Sequence, residues 1–209
     1  MLGSAFALIA LGHAVARIAP LALGPELAAW AWVPVTLVQW TGFAGLVAFG
    51  AGREGARRWL RTPGGGARAA AISFAVGLIP LPILLTSHGL LDSAGLVGLW
   101  LAFAAINAPL EEGYWRGLLL DRTSHWPAWV SVGASSVLFA LNHPIAYGPL
   151  SIANAHPATL VSTFIMGVGW SVAYRRSGSL RWPIAAHVVT DLCNLSVLAF
   201  MNLYVPARG

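Results

Sequence analysis

Lysine is absent from this chain, cysteine occurs once, and charged residues of all kinds make up only 9% of it. Soluble domains carry roughly 25% charged residues, so an ordinary water-facing surface is excluded. The single Cys193 excludes an internal disulfide and says little about redox compartment. A basic segment and a small-residue cleavage site are both missing near the N-terminus, so its long apolar run reads as a retained first span, not a cleaved signal peptide. No internal repeat is evident, and the inverted symmetry of many transporters is therefore missing too.

What is present is apolar: 57% hydrophobic residues with 10 Trp, and a mean hydropathy of +0.72. A bilayer span needs about 20 mostly apolar residues. Seven stretches qualify, roughly 2–23, 27–50, 69–87, 94–121, 127–143, 158–174 and 181–204. The expectation is an all-α, polytopic transmembrane bundle of about seven spans around a polar intramembrane cavity. Residues 1–93 would hold spans one to three with a basic cytoplasmic loop over 51–68, and residues 94–209 the rest of one integral membrane domain. Pro80 and Pro82 should kink or break the third span.

All 12 basic residues are arginine, against seven acids. Most arginines sit between apolar spans, so positive-inside topology explains the basic balance better than nucleic acid, and no nucleic-acid partner is expected. Arg53, Arg57, Arg58, Arg61 and Arg68 then mark the cytoplasmic side, joined by Arg122, Arg175, Arg176 and Arg181. The N-terminus lies inside, and the tail with Arg208 outside. Trp30, Trp32, Trp59, Trp126 and Trp182 flank spans as an interfacial belt would, while Trp40, Trp100 and Trp170 read as lipid-facing or packing residues.

Against this background the stretch Asn107–Arg122, NAPLEEGYWRGLLLDR, stands out because it puts Glu111, Glu112 and Arg116 inside a span, away from its end. Each costs roughly 2.5–3.5 kcal/mol at bilayer depth even on a mild scale, so each needs a partner or a task. Glu112 and Arg116 are four apart with the acid first, the better order for a helical pair. Glu111 lies about 100° away round the helix and is left without a local partner. It is the candidate general base. The fifth span carries Phe139 and His143 at i, i+4. The seventh carries His187, Asp191 and Asn194 in one stripe, which would serve equally as a polar seam between helices. Polar groups from three spans together read as a buried site.

These residues resemble the signature of the CPBP family, also called Abi or CAAX-protease-like, membrane-embedded endopeptidases that include the enzyme processing prenylated CAAX proteins. Its EExxxR-Gly motif is matched by Glu111, Glu112, Arg116 and Gly117, its FxxxH by Phe139 and His143, and its HxxxN/D by His187 and Asp191, in the same order. The resemblance covers roughly 94–204 and implies a glutamate-type mechanism. Glu111 with His143 would activate a water, and His187 with Asp191 would stabilise the oxyanion. Glu112 and Arg116 would hold Glu111 in place, with Phe139 and Asn194 as further supporting residues. Asp191 stands where an Asn could donate directly. An Asp donates only when protonated, so Asn194 or the imidazole is the alternative donor.

No cofactor is expected; zinc held by Glu111, His143 and His187 is the alternative. The expected substrate is a membrane-embedded or membrane-associated protein or peptide, and the GC-rich composition points to a bacterial inner membrane, where prenylated substrates are not expected. Bacteriocin-like peptides or C-terminal sorting helices would fit instead. Two other function classes use the same features: a proton- or ion-coupled transporter, and a non-catalytic scaffold or immunity protein. His13 and Arg17, in the first span, are placed to face the site without an assigned role.

Overall fold

Most of the apolar segments have no polar face, and in the computed structural model, which describes residues 2–61 and 66–203, they form long helices whose outward side chains have no protein neighbour. Phe49 is 95% exposed and Trp129 79%, a surface that only lipid would cover. Every regular element among the described residues is helical. In chain order they are α1 (Leu2–Leu23), α2 (Trp32–Gly50), α3 (Gly52–Arg61), α4 (Gly66–Gly77), α5 (Leu81–Ser87), α6 (Ala94–Glu112), α7 (Leu119–Arg122), α8 (Ala128–Asn142), α9 (Ile152–Ala155), α10 (Pro157–Ser177), α11 (Arg181–Cys193) and α12 (Ser196–Phe200). Arg208 and positions 62–65 of the basic loop lie outside the described residues.

Among the described residues, four helices are long and apolar enough to cross a membrane, and a fifth span arises if α4 and α5 with the turn to Leu90, bent by 50°, count as one. The chain is a multi-pass membrane protein. Seven spans are not confirmed: α11 has 13 residues, about 20 Å of helix against a core of about 30 Å, and α8 has 15, about 22 Å, before it runs on into the turn His143–Tyr147. The segment expected over 181–204 is interrupted by Leu195, whose left-handed backbone (φ 52°) turns the chain into α12.

The break in the third span follows from its prolines. Pro80 has no N–H, and the N–H of Leu81 bonds Leu78 O instead of Gly77 O. The freed Gly77 carbonyl accepts from the Thr190 hydroxyl of α11 at 2.7 Å, so the gap is closed by a neighbouring helix as an apolar interior requires. Close approach elsewhere rests on small residues. A Cβ at Gly167 of α10 would meet the Ser136 backbone of α8 at 3.1 Å.

Part of the expected loop at 51–68 is instead the amphipathic helix α3. It is anchored by Trp59, whose Nε1 donates to Asp121 Oδ2 (3.0 Å) and whose carbonyl accepts from Leu180 N (3.0 Å). Asp121 also accepts from Tyr174 (2.6 Å) and from Arg58, and Arg181 reaches the Leu60 carbonyl. Arginines from α3, α7, α10 and α11 thus gather at one end of the bundle. Two tryptophans assigned to the interfacial belt are interior instead: Trp59 is 2% exposed and Trp32 3%, the latter stacked on Phe200 at 5.3 Å. Their places at helix ends mimic an interface, but the rings fill gaps between helices.

A Cβ at Gly117, the glycine of the EExxxR-Gly motif, would meet the Trp59 ring at 2.8 Å. Because that ring is held on both sides, Gly117→Ala is expected to destabilise the fold by about 1–3 kcal/mol, as overpacking does. Thermal unfolding in detergent measures it, and an unchanged midpoint would mean the ring yields.

Candidate active site

Glu111 and Glu112 end the regular part of α6, and the next turn, Gly113–Leu118, is a π-helical turn in which Leu119 N bonds Tyr114 O. A second such turn, His143–Tyr147, follows α8, with Gly148 N bonding His143 O at 3.0 Å. Wide turns of this kind re-aim side chains and are frequent at functional sites. Here they adjoin the two polar motifs of these helices.

The side chains of Glu111, Phe139, His143, His187, Asp191 and Asn194 line one cavity of about 120 Å³, together with Asn107, Tyr147 and Trp170. Such a volume holds several waters. Its other walls include Pro80 and Ile83 from the broken helix and Thr159, Ser162 and Thr163 from the N-terminal half of α10. The third of the expected spans therefore contributes to the enclosure. The cavity is drawn mainly from the half of the bundle away from the arginines.

Glu112 and Arg116 stand behind this cavity, each 0% exposed. Glu112 Oε1 accepts from Arg116 Nη1 at 2.9 Å and meets His187 Nδ1 at 2.8 Å. The pair expected from spacing is present, but the residue it braces is His187, not Glu111. The Arg116 guanidinium lies 4.0 Å from the Phe139 ring centroid and 5.2 Å from that of Trp170, so aromatic faces take up the charge that hydrogen bonds leave over. Trp170 also stacks on His187, with centroids 4.6 Å apart.

Glu111 is 4% exposed, and its Oε2 has no hydrogen-bond partner among the described residues. It lies 3.8 Å from His187 Nε2, which is also 3.8 Å from Asp191 Oδ1. His143 Nδ1 meets the Phe139 carbonyl at 3.0 Å. A carbonyl only accepts, so Nδ1 carries the proton and Nε2 keeps its lone pair. Asp191 accepts from Asn107 Nδ2 (3.1 Å) and from Ser196 Oγ (3.1 Å), while Asn107 Oδ1 accepts from Trp40 Nε1 (2.9 Å). Asn194 is the C-cap of α11, and its Oδ1 lies 2.6 Å from the same Ser196 Oγ, whose single hydrogen serves either it or Asp191.

Asn107, Ser196, Trp40 and Trp170 were not assigned to the site from the sequence. For Asn107 a signal existed, since it precedes Glu111 by four residues and so shares its helix face. His13 bonds the Ile145 carbonyl at 2.8 Å within the second π turn, and neither it nor the exposed Arg17 lines the cavity. No group of three or more His, Cys, Asp or Glu side chains among the described residues is arranged to hold a metal ion. The Glu111, His143 and His187 set does not form such a group, and no step is derived through zinc.

Residues 93–193 match the family described as type II CAAX prenyl endopeptidase, Rce1-like. This core belongs to the CAAX-protease (CPBP) family. The matched stretch begins at Ser93, the N-cap of α6, and ends at Cys193, the last residue of α11. It therefore contains all three CPBP motifs, and the family is one of membrane proteases. No curated protein and no solved structure matches the chain.

The two glutamates should part company on mutation. Removing the charge of Glu112 leaves Arg116 buried without its counter-ion, so Glu112→Gln is expected to cost about 3–5 kcal/mol. Glu111→Gln, whose carboxylate has no such partner, should leave the unfolding temperature in detergent close to wild type. Equal losses for both would show that the acid pair is a single structural unit.

Proposed function

We propose that this protein is an intramembrane endopeptidase that hydrolyses a peptide bond of a membrane-embedded or membrane-associated protein or peptide, using water activated by Glu111 and His143. The observation that carries the reading is the meeting of one unpartnered carboxylate and two imidazoles, from three helices, in one enclosed cavity. The water would sit between Glu111 and His143 Nε2, whose lone pair accepts one of its hydrogens. Glu111 takes the other proton as the water oxygen bonds the peptide carbonyl carbon. The carbonyl oxygen becomes an oxyanion, the C–N bond then breaks, and Glu111 returns the proton to the leaving amine.

On this reading Glu112 and Arg116 fix His187 beside the oxyanion, and Trp170 and Phe139 hold its ring. The acid pair is thus divided into a reacting member and a bracing member. The protein would lie in a bacterial inner membrane with its arginine-rich end and N-terminus in the cytoplasm. Its substrates would be bacteriocin-like peptides or C-terminal sorting helices, not prenylated proteins.

Purified protein in detergent with a quenched-fluorescent peptide library tests this. Glu111→Gln and His143→Ala should each lower kcat by about 10²–10⁴-fold, the usual worth of a positioned acid or base. Rates within a few-fold of wild type in both variants would remove the proposed base. Phenanthroline should leave the rate unchanged; a loss restored by zinc would transfer water activation to a metal.

A further inference from the structure

An oxyanion needs donors, and two of the residues the family motif offers for that task are compromised in this chain. Asp191, ionised, only accepts. His187 has its Nδ1 against Glu112 Oε1 at 2.8 Å, so with that proton donated its Nε2 can donate only as the imidazolium. Both donors therefore depend on an extra proton.

We infer that Asn107 supplies the amide donor of the oxyanion site, in the place that an Asn at 191 would otherwise take. The inference rests on the endopeptidase reading above. Its orientation is set by chemistry: the indole Nε1 of Trp40 only donates, so the Asn107 atom it meets at 2.9 Å is the carbonyl oxygen. The amide nitrogen must then face Asp191, 3.1 Å away. Nδ2 carries two hydrogens, and Asp191 Oδ2 takes one.

Asn107 is 5% exposed and lines the same cavity as Glu111, His187 and Asp191. It lies one turn before Glu111 on the same face of α6, about 6 Å along the axis. Asp191, to which it is bonded, is itself 3.8 Å from His187 Nε2. The second N–H is thus carried beside the reacting groups, and unlike the other two donors it is present whatever the protonation state. Asn194, the alternative, lies at the C-terminal end of α11, about 10 Å along the helix from His187, with its oxygen turned to Ser196. In this arrangement Asp191 is a positioning residue: one of its oxygens lies 3.1 Å from Ser196 Oγ, and the other orients the Asn107 amide.

The test is a rescue, run with the quenched peptide that the wild-type protein cleaves. Asn107→Ala should lower kcat by about 10²–10³-fold, the worth of one oxyanion donor, with KM within about threefold of wild type. Adding Asp191→Asn to Asn107→Ala returns an amide to the site and should recover at least tenfold of the loss. A single Asn107→Ala as active as wild type, or a double variant no better than the single, overturns the inference, the latter reducing Asn107 to a brace for Asp191.

Should Asn107→Ala fail to fold, the swapped pair N107D/D191N keeps an amide bonded to a carboxylate and decides the matter. Activity within tenfold of wild type supports the inference, and a folded but inactive swap overturns it. Wild-type protein that cleaves no peptide in the library defeats the endopeptidase reading and this inference together, whereas an active wild type with a silent Asn107→Ala defeats the inference alone.

Discussion

The Glu112 carboxylate, held between Arg116 and His187 with no exposure to solvent, is the constraint on which the rest of the structure depends. A guanidinium in an apolar interior is tolerable only with a counter-ion and polarisable surroundings, and here the counter-ion is one turn away while Phe139 and Trp170 supply the surroundings. Those two aromatics come from α8 and α10, and the imidazole from α11. Satisfying one buried charge therefore fixes the relative placement of four helices. The same placement leaves Glu111 facing the cavity.

The irregular backbone serves that end. Each π turn adjoins a polar motif, and the breaks at Pro80 and Leu195 bring α5 and α12 to the cavity wall. The carbonyl that the proline break releases is taken by Thr190, one residue before Asp191 in the helix that carries the third motif. Departures from regular helix thus concentrate around the site. Such departures carry strain that surrounding contacts must overcome.

Spacing alone made some of this legible. Glu112 and Arg116 at i, i+4 read correctly as a pair, Glu111 as the carboxylate left over, and Pro80 as a break, because each follows from local helical geometry. The ordered motifs pointed to the family that the 93–193 match identifies. What could not be read was tertiary. No glycine or proline marks the turn at Leu195, so the last span looked continuous. The π turns leave no trace in the residue spacing. Trp59 and Trp32 sit at helix ends, where composition suggests a lipid interface, and only the packing shows them inside. That Glu112 also meets His187, 75 residues distant, lay beyond any reading of local spacing.

Between the cavity and the arginine-rich end lie Tyr114, Trp115, Leu118, Leu119 and Leu120, all buried in one apolar cluster. Carboxylates and imidazoles in contact with water would form a proton wire if the wet region ran through the molecule. This plug stops it part-way. On the endopeptidase reading, a water-holding chamber can then sit within a membrane without joining the compartments on its two sides.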